Sequence, residues 1–323
     1  MSTAPQPASV AALLDRADEF ARDGDAKAAM SFYQAALKTV QAGYSDPRTL
    51  ERLRNAQTYI QRRAQEFEHS LDRALADFRA ADSIAQTRLT HALDMLRGER
   101  TIYPQQPAVL YYPYLAQRQF FEAEEFDWVP EIEAAAPAIR EELQGLLEQG
   151  AGFRPYVEDR ANRPRRQFHH LNEDPSWTAL YLWRDAKLVP EVAERCPRTV
   201  EALGKVPLSH IGGRTPAALF SRLEPGAHIP PHSGMLNCRL ICHLPLIVPE
   251  GCWLRVGNEV REWREGKLLI FDDSIEHEAK NPGDELRIIL LFDIWRPELT
   301  QEEREAISAM FNAIDNFQTL PDA

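Results

Sequence analysis

The chain has 323 residues, 27% of them charged, and a formal net charge of −12. This acidic balance argues against broad electrostatic binding to nucleic acid or to anionic lipid, because both are themselves negative. With 44% hydrophobic residues the chain can bury a substantial core, as two domains or as one large domain with an extension. The sequence shows no secretory segment, no apolar run long enough to span a membrane, and no CxxC pair among its four cysteines. We therefore expect a cytoplasmic protein with free thiols and no membrane anchor.

The first part of the chain is predicted to be helical. Apolar residues recur at helical spacing from Val10 to about Met95, with a break at Gly24. Around that break, the order of small and aromatic residues resembles one tetratricopeptide unit, in which two helices pack through small side chains. A single unit cannot bury its faces alone. We therefore expect 1–104 to be a helical domain that caps the next domain, forms an oligomer or binds a peptide, and these roles stay open.

The sequence changes character from 215 to 295. Short apolar runs separated by turn dipeptides predict antiparallel strands, and their number and spacing fit a sandwich or jelly roll. A helix is expected over 129–148, and another after a capping box formed by Thr300 and Glu303. The predicted fold class is therefore α+β.

Two histidines follow predicted strand ends in this region. His232 lies in PPHSG, and His277 lies in FDDSIEHEA after the apolar run KLLIF. A double-sheet roll can bring such positions together, and neutral imidazoles bind Fe(II) and other first-row metals. Either histidine alone would more often be a packed core residue. Asp272 and Asp273, which precede His277, are more typical of a turn or of support for that histidine than of direct ligands.

Arg287 lies inside the apolar run LRIILLFDIW. A guanidinium in such a strand should be paired with an anion, since burying it alone is costly. Two histidines followed by a buried arginine is the arrangement expected of a 2-oxoglutarate-dependent oxygenase. The usual facial triad of those enzymes has an acid two residues after the first histidine, whereas this chain has Gly234 there.

The stretches PHSGMLNCRLICHLPLIVPEGCWLRV, REGKLLIFDDSIEHEAKN and LRIILLFDIWRPELT resemble the aspartyl/asparaginyl β-hydroxylase family. That family is similar in lacking the acid and in holding iron with two histidines. The resemblance covers about 105–300. It implies a double-stranded β-helix (jelly-roll, cupin-like) oxygenase domain over 105–323 that uses Fe(II) and 2-oxoglutarate and follows the tetratricopeptide-like domain 1–104.

The resemblance also implies roles for individual residues. The iron ligands of the family match His232 and His277, and the 2-oxoglutarate anchors match Ser221, His243 and Arg287. Arg239 matches a family arginine near the substrate carboxylate. Animal members of the family have a second arginine where this chain has Ile241, and a lysine where it has Leu219. We therefore expect this chain to bind its substrate through different contacts.

A stretch rich in arginine, histidine and tryptophan precedes the β region. It is equally consistent with a substrate groove and with a solvated loop, and Arg166 and Trp177 are its candidate substrate-binding residues. The other members of this stretch are Arg163, Arg165, His169 and His170.

The predicted function is hydroxylation of the β-carbon of an Asp or Asn residue in a peptide or protein, or of a related small acidic substrate, by an Fe(II)/2-oxoglutarate-dependent dioxygenase. A site without the acid is more positive, which favours an acidic substrate. Two alternatives remain: an acyl-chain hydroxylase of the same family, and an inactive iron-binding cupin on a helical scaffold. An inactive site has no need of the 2-oxoglutarate anchors. No nucleic-acid partner is expected, and an oligomer formed through the N-terminal helices stays open.

Overall fold

The computed structural model describes residues 9–40, 46–78, 84–159 and 171–319. The chain divides into two compact units, Met1–Leu96 and Arg97–Ala323. Among the described residues, no helix combines the length and the apolar character needed to cross a bilayer.

The first unit is built from helices. These are α1 (Val10–Arg22), α2 (Ala26–Thr39), α3 (Pro47–Ala74) and α4 (Ile84–Arg97). The predicted break at Gly24 is confirmed, and its φ of +83° is one that a glycine adopts without strain. Helix α2 begins where the Asp25 side chain accepts a hydrogen bond from the backbone N–H of Ala28 at 2.9 Å. Helices α1 and α2 pack through small residues around Tyr33. The tetratricopeptide character of this unit stays a prediction.

The second unit contains two antiparallel sheets. Its strands are β1 (Phe120–Phe121), β2 (Arg154–Pro155), β3 (Trp177–Arg184), β4 (Lys187–Leu188), β5 (Ala218–Leu223), β6 (His228–His232), β7 (Arg239–Ile247), β8 (Trp253–Val256), β9 (Glu259–Glu262), β10 (Leu269–Phe271), β11 (His277–Lys280) and β12 (Arg287–Trp295). Among the described residues, the larger sheet has the order β1-β10-β7-β12-β5-β3-β2, with β4 on β3, and the smaller has the order β6-β11-β8-β9.

From β5 to β12 the chain crosses repeatedly between the two sheets. Strands β5, β7, β10 and β12 belong to the larger sheet, and the intervening strands belong to the smaller one. Side chains of both sheets meet in one apolar cluster, for example Leu223 and Ile241 with Ile229 and Leu254. This is the jelly-roll arrangement of a double-stranded β-helix, and with its helices the fold is α+β.

Helices cover the outer face of the larger sheet. They are α5 (Val129–Glu148), α6 (Pro190–Ala193) and α7 (Pro197–Leu203). Helix α8 (Gln301–Thr319) packs in a separate apolar cluster, in which its Ile307 and Phe311 join Trp295 of β12. Along β7, Leu240 and Leu244 join Ile139 of α5 in one cluster, whereas Ile241 and His243 line the cavity between the sheets. The predicted capping box of α8 is also confirmed, because the backbone N–H of Thr300 donates to the Glu303 carboxylate at 2.8 Å.

Candidate functional site

A cavity of about 510 Å³ lies between the two sheets. The smaller sheet contributes His232 and His277 to its wall, and the larger sheet contributes Ser221, His243 and Arg287. Each of these residues lies on a strand, so the hydrogen bonds of the sheet fix the position of its Cα atom. The structure thus brings these five predicted residues together on one cavity.

His232 and His277 are directly opposite each other on neighbouring strands. Strands β6 and β11 are antiparallel with His277 in register with His232, and the two ring centroids are 4.1 Å apart. His232 Nδ1 lies 2.8 Å from the carbonyl oxygen of Pro230, and His277 Nδ1 lies 3.0 Å from that of Ile275. A carbonyl only accepts, so each Nδ1 carries the proton and each Nε2 has the lone pair that a metal needs.

Burial keeps the rings of His277 and His243 neutral. Burial lowers the pKa of His277 to about 4. Burial, and secondarily the nearby Arg287, holds the pKa of His243 well below its usual range. A neutral imidazole is the form that coordinates a metal ion.

The space beside Gly234 is filled by a carboxylate from another loop. A Cβ atom at Gly234 would lie 2.0 Å from Oδ2 of Asp273, and the backbone N–H of Gly234 donates to the Asp273 carbonyl at 2.6 Å. Asp273 Oδ1 is buried and has no hydrogen-bond partner among the described residues. Burial raises the pKa of this carboxyl group. Residue 234 therefore has to be glycine because Asp273 occupies the space that its side chain would need.

Arg287 is a buried cation in the interior of the second unit. Its side chain is 1% exposed, and Nη1 donates to the backbone oxygen of Ser221 at 3.3 Å. The guanidinium carbon lies 4.8 Å from the centre of the Trp263 ring. Among the described residues no carboxylate pairs with it and Nε has no partner, and burial lowers its pKa to about 10. A buried guanidinium with unsatisfied donors is suited to receive an anion from the cavity.

Ser221 and His243 lie close to this cation in the sheet. Trp177 Nε1 donates to Ser221 Oγ at 3.2 Å, and the Trp177 ring stacks on Tyr156 with centroids 4.0 Å apart. His243 Nδ1 is buried and has no hydrogen-bond partner among the described residues. These polar groups around Arg287 fit a small anion with several oxygens, as the carboxylates of 2-oxoglutarate would be.

Arg239 also lines the cavity, but carboxylates already pair with it. Its Nη1 donates to Asp293 at 2.5 Å and its Nη2 to Asp273 at 3.3 Å. The substrate-binding candidate Arg166 lies outside the described residues, as do Arg163, Arg165, His169 and His170.

Sequence reasoning missed Trp263 and Asp293. Asp293 lies in the same apolar run as Arg287. A charged side chain in such a strand needs a partner of opposite charge, so the sequence could have indicated a buried ion pair at Asp293 as well. Trp263 carried no such signal, because its contact with Arg287 depends on how the strands fold back on one another.

No group of three or more His, Cys, Asp or Glu side chains in the described part of the chain is placed to hold a metal ion. A metal in the cavity would therefore have two imidazoles as its protein ligands, with water or substrate atoms completing its coordination.

A comparison with models of known protein families identifies the family of this chain. The model of the aspartyl/asparaginyl beta-hydroxylase family matches residues 133–297, which include both cavity histidines and Arg287. The chain belongs to this family.

Several relatives share this family domain. Aspartyl/asparaginyl beta-hydroxylase of Homo sapiens is 35% identical over 184 residues, which are 56% of this chain and 23% of the human protein. Ornithine lipid ester-linked acyl 2-hydroxylase of Rhizobium tropici is 37% identical over 191 residues, 58% of this chain and 64% of that protein. The chain thus spans less than two thirds of the length of either relative.

Among solved structures, cupin domains are similar to part of this chain. The cupin domain of Schizosaccharomyces pombe Cnp3 has 12% identity and a TM-score of 0.25, covering 37% of this chain and 61% of that domain.

Proposed function

We propose that the chain is an Fe(II)/2-oxoglutarate-dependent dioxygenase. The observation that carries this proposal is the combination of two facing histidines with a buried arginine that has no carboxylate partner among the described residues, all on one cavity. When bound, ferrous iron and 2-oxoglutarate supply the oxidation of a C–H bond by O2, with succinate and CO2 as the other products. Family membership supports an oxygenase of this kind.

His232 and His277 would hold the iron through Nε2. The carbonyl oxygens of Pro230 and Ile275 fix the Nδ1 protons, so neither ring has to change tautomer for metal binding. Burial keeps His277 neutral over the physiological pH range, which removes competition by protons.

Arg287 and Ser221 would anchor the distal carboxylate of 2-oxoglutarate. The stacking of Arg287 on Trp263 fixes the plane of the guanidinium, and the indole of Trp177 fixes the hydroxyl of Ser221. The cavity wall excludes water around these groups, which strengthens each charged hydrogen bond.

The position that is hydroxylated has two candidates. The name of the family favours the β-carbon of an Asp or Asn residue in a peptide or protein. The name of the Rhizobium relative favours an acyl chain, and the many apolar side chains of the cavity wall favour this second candidate.

The test is turnover that requires both cofactors. We expect release of succinate from 2-oxoglutarate to depend on added Fe(II) and to be lost in His232→Ala and His277→Ala. Arg140→Gln is the matched control, because Arg140 lies exposed on α5 in an ion pair with Glu265. Release of succinate that is unchanged in both histidine variants would contradict the proposal, and absence of any cofactor-dependent turnover would favour an inactive cupin scaffold.

A further inference from the structure

Trp177 is an electron-rich side chain on the wall of the cavity that holds both histidines. It is the first residue of β3, in register with Leu223 of β5, and only 6% of it is exposed. The centre of its ring lies 6.5 Å from the ring centre of His232. A metal bound to Nε2 of His232 at about 2.1 Å would lie roughly 3 Å from the centre of that imidazole, and therefore at most about 10 Å from the centre of the indole.

The Trp177 ring is held beside the histidine pair by two contacts. Its Nε1 donates to Oγ of Ser221 at 3.2 Å, and its ring lies nearly parallel to that of Tyr156, with centroids 4.0 Å apart and an angle of 14° between the planes. The backbone N–H of Tyr156 also donates to the backbone oxygen of Trp177 at 2.9 Å, which fixes the second ring against the first. The indole is therefore expected to keep this position when the cavity holds no substrate.

Trp177 is also the most easily oxidised ring next to the histidine pair in the described structure. Phe271 lies 5.5 Å from His277 between ring centroids, but a benzene ring gives up electrons far less readily than an indole. A phenol is oxidised about as readily as an indole. The phenol of Tyr156, however, contacts Trp177 and neither of the two histidines.

We propose that Trp177 is a site of self-hydroxylation when no substrate occupies the cavity. The proposal rests on the proposed oxygenase function and adds a modification site on the chain itself. A substrate C–H bond nearer to the metal would react first, so the modification belongs to turnover without substrate.

The reaction balances with the reagents of the proposed function. One atom of O2 enters an aromatic C–H bond of the indole, which becomes C–OH. The other atom of O2 enters the succinate that 2-oxoglutarate forms as its C1 carboxylate leaves as CO2. The indole supplies two electrons and the 2-oxo acid supplies two, so no further reductant is required.

The test locates the added oxygen by mass spectrometry. The full chain is incubated with Fe(II), 2-oxoglutarate and isotopically labelled O2 without substrate, and its peptides are then sequenced by fragmentation. We expect a mass gain of one labelled oxygen atom on Trp177 and on no other tryptophan. Replacing 2-oxoglutarate by N-oxalylglycine, an unreactive mimic, should abolish it, as should His232→Ala. Oxidation that persists with N-oxalylglycine, for example at the exposed Met235, reports free iron chemistry instead.

A second readout needs no turnover. Co(II) bound at the histidine pair quenches the fluorescence of nearby tryptophans, and we expect Trp177→Phe to lose a larger part of this quenching than Trp183→Phe. Trp183 is the matched control because it lies on the same strand but packs in the apolar cluster beneath the helices. Trp183→Phe should also keep the labelled oxygen on Trp177. Equal loss of quenching in the two variants would contradict the position of the indole beside the metal.

The outcomes separate this inference from the proposed function. Release of succinate without labelled oxygen on Trp177, or with the label mainly on Phe271 or Tyr156, would overturn the inference and leave the proposed function intact. Absence of any cofactor-dependent succinate would contradict both. Should Trp177→Phe not fold, the position of the label in the unaltered chain still decides.

Discussion

At the scale of single residues, the candidate site contains buried polar groups that lower the stability of the folded protein and that could form hydrogen bonds with a ligand. Arg287 is a buried guanidinium whose Nε has no partner in the described structure, and His243 Nδ1 is likewise buried without one. Such groups destabilise a fold unless something binds them. Their presence together on one cavity is a reason to expect a bound anion rather than a purely structural role.

Replacing Arg287 by methionine should have opposite effects on stability and on binding. We expect Arg287→Met to raise the midpoint of thermal unfolding of the ligand-free chain, because an isolated buried cation is replaced by an apolar side chain of similar length. The same change should weaken binding of N-oxalylglycine by at least about 30-fold, since a charged hydrogen-bonded pair is typically worth ~2 kcal/mol or more. Differential scanning fluorimetry and calorimetry measure the two effects. A variant that loses stability and binds the ligand normally would show that Arg287 is a structural residue.

The pair Gly234 and Asp273 supplies a second residue-scale prediction. Because a Cβ at 234 would overlap the Asp273 carboxylate, Gly234→Asp should destabilise the fold by about 1–3 kcal/mol and should weaken Mn(II) binding. Combining it with Asp273→Gly removes the overlap, so the double variant should recover much of the lost stability. Chemical denaturation of both single variants and the double variant measures the coupling. Strictly additive losses would contradict the steric account.

At the scale of elements, a buried polar network fixes the turn that leads into β11. Arg296 and Asp272 are both fully buried and form an ion pair at 2.8 Å. Asp272 also accepts hydrogen bonds from Gln105 at 2.6 Å and from the backbone N–H of Ser274 at 3.0 Å. This network connects the 272–275 turn to the end of β12. That turn positions His277, the first residue of β11.

Breaking one partner of this ion pair should therefore affect both stability and the site. Arg296→Met leaves Asp272 buried without its cation, and we expect a loss of about 3–5 kcal/mol in the free energy of unfolding together with weaker Mn(II) binding. Arg296→Met combined with Asp272→Asn should be less destabilised than Arg296→Met alone. Urea unfolding and metal titration measure these effects. Arg118→Gln is the control, since Arg118 forms a half-exposed ion pair with Glu125. A loss no larger than that of the control would mean that the network does not hold the turn.

At the scale of the whole molecule, the sequence predicts the α+β class, the jelly-roll arrangement and the strand that carries Arg287, and it places His232 and His277 near strand ends. The short strands β6 and β11, on which the two histidines lie, are not predicted from the sequence. The predicted elements follow from short apolar runs, turn residues and local motifs, which are features of neighbouring residues. The packing of Asp273 against Gly234 and the neutralisation of Arg239 by Asp293 could not be predicted in this way. Both depend on which residues the sheet register and the loops bring together across long stretches of chain.

The central claim is that His232 and His277 share one metal ion beside an anion held by Arg287. The most direct measurement is a crystal structure of the chain with Mn(II) and N-oxalylglycine, with the metal located by its anomalous scattering. The account predicts one metal peak about 2.1 Å from Nε2 of both histidines, and a carboxylate of the ligand on the Arg287 guanidinium. A metal bound away from the histidine pair, or a ligand that leaves Arg287 without a contact, would contradict it.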